Sequence, residues 1–67
     1  MTEIKGLSEG DIVALKGEDG EWLIESFIPQ KSGEQEVCFY NVETGNFIQI
    51  ELGAGIAKVD HVIRKSE

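Results

Sequence analysis

The one cysteine and the one histidine of this chain are its most direct pairing of a nucleophile with a base. Cys38 lies among apolar residues in a segment with strand-forming composition, where a thiol usually packs as an inert side chain. His61 lies near the end of the sequence, where we expect its ring to cap or hydrogen-bond a turn. A structural zinc site needs four nitrogen or sulfur ligands, which one cysteine and one histidine cannot supply. We therefore expect no enzymatic activity, no bound metal and no cofactor.

Two other segments have the composition of ligand sites but not the spacing. The run Gly53-Ala54-Gly55 matches half of a dinucleotide-binding fingerprint, but Lys58 stands where the third glycine belongs. No βαβ unit fits in the residues that follow, so the two glycines predict a sharp turn. The acidic residues at positions 18, 19 and 21 lack the spacing of an EF-hand calcium loop.

Net charge separates the classes of partner that the chain could bind. Thirteen acidic and six basic residues leave a formal net charge of −7, which favours solubility and repels nucleic-acid phosphates and anionic membranes. The basic residues that could form a local patch for nucleic acid are Lys58, Arg64 and Lys65. The acidic residues favour binding to a basic protein instead. One such partner is a DNA-binding protein, which a small acidic inhibitor would block by imitating the charge of DNA.

The cysteine content and the apolar runs indicate a cellular compartment. One cysteine cannot form an intramolecular disulfide, which fits a reducing cytoplasm. The residues near the start lack the apolar segment of a signal peptide, and the longest apolar runs are too short to cross a bilayer. We therefore expect a cytoplasmic protein that does not enter membranes.

The large aromatic side chains suggest a binding surface. In one interpretation, Trp22 and Phe27 complete the core. In the other, exposed rings line a groove with an acidic rim, which would bind a basic or proline-rich peptide or a partner protein. The residues predicted to bind the partner are Trp22, Tyr40, Phe47, Glu21, Glu25 and Glu43.

Strands must position these side chains, because the apolar residues follow a period of two. Residues 37–42 are β-branched and aromatic, and residues 47–52 alternate between two faces. Between them, residues 43–46 have turn chemistry, since Gly45 accepts a positive φ without a steric clash. The segment 36–52 therefore predicts a β-hairpin.

Three further strands are expected around this hairpin. Residues 11–16 predict a first strand with Val13 and Leu15 facing inward. Residues 21–28 have apolar side chains on both faces, which indicates a bulge or a bent strand. Residues 59–64 predict a last strand, preceded by a turn of 3₁₀ helix. Five short strands separated by glycine turns predict an all-β fold and a small five-stranded barrel.

The length of 67 residues predicts one small domain. Residues 1–9 mix charged and apolar side chains without a clear period, so we expect an N-terminal arm there. Residues 10–65 are expected to form the folded domain.

Short motifs in this order resemble those of SH3-like barrels. Residues 10–16 (Gly-Asp-Ile-Val-Ala-Leu-Lys) resemble the opening of many such barrels. Residues 20–24 (Gly-Glu-Trp-Leu-Ile), followed by residues 37–41 (Val-Cys-Phe-Tyr-Asn) and Gly45-Asn46, are similar to the Tudor-like branch of that fold. The same order also resembles small uncharacterised bacterial proteins with a similar first strand. The resemblance implies an SH3-like barrel over residues 10–64.

SH3-like barrels serve many functions, so the resemblance implies a fold rather than an activity. We expect a noncatalytic interaction module that binds a protein or peptide through the aromatic, acid-rimmed surface. A nucleic-acid-associated protein and a small acidic inhibitor of a basic partner are the alternatives. The exposed strand edges permit either a monomer or a homodimer.

Overall fold

The computed structural model describes residues 3–31 and 33–66, and within them the chain forms seven strands and one helix. In chain order the elements are β1 (Glu3–Ile4), β2 (Leu7–Ser8), β3 (Ile12–Leu15), β4 (Trp22–Pro29), β5 (Gln35–Asn41), β6 (Phe47–Glu51), α1 (Leu52–Lys58) and β7 (Val59–Arg64). The described part of the chain contains no helix that is both long enough and apolar enough to cross a membrane.

Among the described residues, five strands form one antiparallel sheet in the order β6-β5-β4-β3-β7. The last strand, β7, therefore returns to pair with β3, the first strand of this sheet. The predicted all-β fold with five principal strands is confirmed. Strands β1 and β2 form a separate hairpin within the segment that we expected to be an arm, and Leu7 from this hairpin is buried in the core.

The hairpin predicted for residues 36–52 is formed by β5 and β6. Val37 pairs with Ile50 in this hairpin, so the alternation read from the sequence gives the observed register. Strand β4 pairs with β5 along its length and shifts register between Ile24 and Ser26. The bulge expected from apolar residues on both faces of β4 is therefore present.

The segment after β6 differs from the glycine turn and 3₁₀ turn that we expected, because Leu52–Lys58 form a seven-residue α-helix. Leu52 and Ile56 lie one turn apart and pack against the core. A Cβ atom at Gly55 would overlap Cγ1 of Val37. The missing side chain at Gly55 therefore lets the helix lie directly against β5.

The core lies on one side of the sheet, which we call the inner face. Its buried side chains come from β2, β3, β4 and β5 and are Leu7, Val13, Leu15, Trp22, Ile24, Val37 and Phe39. Val13 and Leu15 thus face inward as predicted. Because successive residues of a strand point to opposite sides, the residues between these core positions point to the other side, the outer face.

Candidate functional site

Apolar side chains form a row on the outer face across β4, β5 and β6. Leu23 pairs with Tyr40, and Tyr40 pairs with Phe47. The ring centroids of Tyr40 and Phe47 are 4.9 Å apart, and the rings are inclined by 45°. Leu23 and Tyr40 are half-buried, whereas the side chain of Phe47 is 62% exposed. We call Leu23, Tyr40 and Phe47 the interaction face.

Asn41 holds the turn that brings Phe47 beside Tyr40. The buried side chain of Asn41 accepts hydrogen bonds through Oδ1 from the backbone amides of Glu43 at 2.8 Å and Thr44 at 3.0 Å. Asparagine commonly bonds to the backbone two residues ahead in this way and stabilises a turn. Together with the backbone hydrogen bonds from Gly45 to Asn41 and from Asn41 to Asn46, this side chain positions the start of β6 and hence Phe47.

The three glutamates that the sequence places at the rim of a binding surface are all exposed. Glu21 directly precedes β4, and the carboxylate of Glu43 lies near Gly20, so both charges are at the same end of the face. Glu25 lies at the register shift of β4. Burial raises the pKa of the Cys38 thiol, and the nearby negative charge of Glu25 raises that pKa further.

The net charge is concentrated in one part of the chain. Residues 17–57 contain eight of the 13 acidic residues and one of the six basic residues, so this segment alone carries a formal charge of −7. The rest of the chain has five residues of each sign and is neutral. Strands β4, β5 and β6 belong to the charged segment, whereas β3 and β7 belong to the neutral part. The interaction face therefore lies in the negatively charged half of the sheet.

Trp22, which we predicted to be a partner-binding residue, lies in the core. Its side chain is 4% exposed, and its Nε1 donates a hydrogen bond to the backbone oxygen of Asp19 at 3.1 Å. Phe27 is half-buried and packs against the same core. The interpretation in which Trp22 and Phe27 complete the core therefore agrees with the structure, and Trp22 is not available to a partner.

Leu23 takes the place of Trp22 on the outer face, and sequence reasoning did not select it. The two residues are adjacent in β4, so one of them had to face outward. The pairing of β4 with β5 determines which of the two faces outward, because it places Leu23 opposite Tyr40 on the outer face. The bulge later in β4 obscured this alternation in the sequence.

The basic residues of the nucleic-acid alternative do not form one patch. Lys58 Nζ lies 3.4 Å from Oε2 of Glu18, and Lys65 Nζ lies 2.8 Å from Oδ2 of Asp11. These two lysines flank β7 at its opposite ends, which are about 20 Å apart at the rise of a strand. Arg64 is exposed at the same end as Lys65. Two of the three predicted phosphate ligands are thus held in internal ion pairs.

Cys38 and His61, the nucleophile and base considered from the sequence, lie on different strands. Cys38 is on β5 and His61 is on β7, and strands β4 and β3 lie between them. At about 4.8 Å per strand, the thiol is far outside hydrogen-bond reach of the imidazole. Nδ1 of His61 instead lies 3.4 Å from a carboxylate oxygen of Asp60, and both side chains are exposed.

Neither a metal centre nor a cavity is found in the described ranges 3–31 and 33–66. They contain no group of three or more histidine, cysteine, aspartate or glutamate side chains placed to hold a metal ion. They also form no pocket that would enclose a small molecule. The features available for binding in these ranges are therefore surfaces and strand edges.

Comparison of the chain with protein-family models, with curated proteins and with solved structures found no match.

Proposed function

We propose that this chain is a noncatalytic interaction module, an SH3-like barrel that binds a basic segment of a partner protein through the interaction face. The observation that carries the proposal is the 62% exposure of Phe47, whose ring lies beside that of Tyr40 in the negative half of the sheet. Large exposed aromatic side chains are enriched at binding surfaces, where they contribute much of the binding energy. The return of β7 to β3 supports the barrel interpretation, because a small barrel requires it.

The charge around the interaction face selects the kind of partner. Glu21, Glu25 and Glu43 are exposed near it, and residues 32–57 contain no lysine, arginine or histidine. A basic segment would meet complementary charge there, which favours association and excludes acidic partners. A second copy of the same face would bring two negatively charged segments together. The proposal is therefore a heterotypic complex. We place the complex in the cytoplasm, because the free thiol of Cys38 fits a reducing compartment.

The test is a titration with a nine-residue peptide, acetyl-Thr-Thr-Lys-Thr-Arg-Thr-Leu-Thr-Thr-amide, followed by isothermal calorimetry. We expect Phe47→Ser to weaken binding about tenfold, since truncation of a central aromatic residue costs more than 1 kcal/mol. The matched control is Ile63→Ser on β7, which changes an exposed apolar side chain in the neutral half of the sheet. Equal affinities for the two variants would contradict the proposal, as would failure of the peptide to bind at all.

A second candidate function is a charge-based inhibitor of a basic protein, and the confinement of the whole net charge to residues 17–57 favours it. Such an inhibitor binds through carboxylates rather than through aromatic contact. The combined variant Glu21→Gln, Glu25→Gln and Glu43→Gln would then abolish peptide binding, while Phe47→Ser would leave it intact. Binding would also weaken steeply between 50 and 500 mM salt, because exposed charges are screened.

A further inference from the structure

Strand β6 is an open edge of the sheet. It ends the strand order, and its one strand partner among the described residues is β5. The backbone amide of Asn41 donates to the oxygen of Asn46 at 2.8 Å, which makes these two residues a hydrogen-bonded pair. Hydrogen-bonded and non-hydrogen-bonded pairs alternate along an antiparallel ladder. The next pair, Tyr40 and Phe47, is therefore non-hydrogen-bonded, which agrees with the close approach of its rings.

The alternation determines which backbone groups of β6 point away from β5. Phe47, Gln49 and Glu51 occupy the non-hydrogen-bonded positions, so the N–H groups of all three and the C=O groups of Phe47 and Gln49 face outward from the sheet edge. Their side chains are all exposed. Glu51 is the N-cap of α1, so its C=O accepts the first hydrogen bond of the helix instead. The body of α1 lies against Val37 on the inner face, where the missing side chain of Gly55 gives it room.

The two edges of the sheet differ in how they are protected. Natural proteins usually disrupt an exposed edge with bulges, prolines or lysines. Strand β7 pairs with β3 through two register shifts, which disturb that edge. Strand β6 pairs with β5 in an unbroken register over five residues and contains neither proline nor lysine. The regular edge is thus the one that carries Phe47 and lies in the negative half of the molecule.

We propose that the partner segment binds as an added antiparallel strand along β6, with its backbone hydrogen-bonded to Phe47, to Gln49 and to the amide of Glu51; this inference depends on the proposed function. Main-chain hydrogen bonds supply affinity in this mode, and alternate side chains supply specificity. The occupant is a basic segment rather than a second copy of β6, because Glu51 and Glu36 already lie opposite each other across β5 and β6. A second β6 would add further negative charge.

Antiparallel addition also fixes the order of residues in the partner. A partner residue opposite Phe47 shares the outer face with it and is best apolar. A partner residue opposite Glu51 is best basic. Glu51 follows Phe47 by four residues, so in an antiparallel partner the basic residue precedes the apolar one by four. The probe peptide has this order, with lysine four residues before leucine.

Three modified peptides test the inference on the unaltered protein. The first reverses the order of the probe, so that leucine precedes lysine while composition and charge are unchanged. The second carries a methyl group on the backbone nitrogen of arginine, which would face β6 in the added strand. The third carries the same group on the nitrogen of the next threonine, which would face away.

We expect the reversed peptide and the arginine-methylated peptide to bind at least about tenfold more weakly than the probe. The threonine-methylated peptide should bind within about twofold of it. If the probe binds and Phe47→Ser weakens it, but both methylated peptides bind equally well, strand addition is overturned while the proposed function stands. If the probe does not bind the unaltered protein, the proposed function fails and the strand inference fails with it.

Discussion

Asp11 Oδ2 lies 2.8 Å from Lys65 Nζ, and the side chain of Asp11 has no exposed surface. The same carboxylate accepts hydrogen bonds from the backbone amides of Ser66 at 2.7 Å and Ser8 at 3.0 Å. Residues before β3 and residues after β7 are thereby joined at one buried charge. Burial by itself raises the pKa of Asp11. The hydrogen bonds and the positive charge of Lys65 outweigh that effect, so the pKa of Asp11 lies below its ordinary value.

The lowered pKa of Asp11 predicts a dependence of stability on pH. A carboxyl whose pKa is lower in the folded state stabilises the protein above its unfolded pKa, and this stabilisation is lost as pH falls through the folded pKa. We expect Asp11→Asn to reduce the free energy of unfolding by about 2 kcal/mol at pH 7, because it removes a charged acceptor. The difference from the wild type should shrink below about pH 4. Urea unfolding at a series of pH values measures this, and a difference independent of pH would contradict it.

Gly55 and Gly53 lie in the same helix and provide a matched pair of substitutions. A Cβ at Gly55 would overlap Val37, whereas a Cβ at Gly53 would meet Glu51 Oε1 at an ordinary 3.6 Å. We expect Gly55→Ala to destabilise the protein by about 1–3 kcal/mol through overpacking. Gly53→Ala should be neutral or stabilise it by up to about 1 kcal/mol, because alanine favours helix. Thermal unfolding of both variants tests the placement of α1, and equal midpoints would show it to be wrong.

Asn41 is expected to control both stability and the position of Phe47. Asn41→Ala removes the acceptor for two backbone amides, which we expect to cost about 2 kcal/mol. Asn41→Asp keeps an acceptor but loses the Nδ2 donor to the oxygen of Asp19, so its effect should be smaller. Chemical unfolding of the two variants measures the difference. A loss for the aspartate variant as large as that for the alanine variant would show that the amide donor, rather than the turn acceptor, matters more.

The buried thiol of Cys38 is expected to react slowly. Burial and the charge of Glu25 both raise its pKa, so little thiolate forms near neutral pH. Iodoacetamide at pH 8 should therefore modify the folded protein many times more slowly than the protein in urea. Glu25→Gln should increase the rate in the folded state, because it removes the smaller of the two causes. Equal rates in the folded and unfolded protein would place Cys38 at the surface.

The strands that the sequence predicts well are those with regular alternation. Val13 and Leu15 are inward, and the hairpin of β5 and β6 has the expected register, because a period of two leaves one choice of buried face. Gly45 has a positive φ of 82°, as expected for the turn before β6. These features depend on residues that are neighbours in sequence or lie across one turn.

Features that depend on distant residues were not predictable. The buried Asp11 has partners 54 and 55 residues away, so nothing near it in sequence reveals them. Helix α1 has two glycines in seven residues, so its intrinsic helix propensity is weak. The packing of Gly55 against β5 outweighs that weak propensity. Trp22 is buried because of the register of β4. The bulge in β4 interrupts the alternation of apolar residues, so this register cannot be read from the sequence. Lys58 and Lys65 are held in ion pairs with Glu18 and Asp11, which are distant in sequence, so the sequence does not reveal that these lysines are already paired.

The most direct test of the proposed binding mode is a titration of ¹⁵N-labelled protein with the probe peptide, followed by amide chemical shifts. We predict saturable shifts at Tyr40, Phe47, Gln49 and Glu51, with the amides of Phe47, Gln49 and Glu51 moving most because they gain hydrogen bonds. The amides of Val62 and Ile63 on β7 should not move. Shifts concentrated on β7, or a uniform small response across the sheet, would contradict binding at the β6 edge.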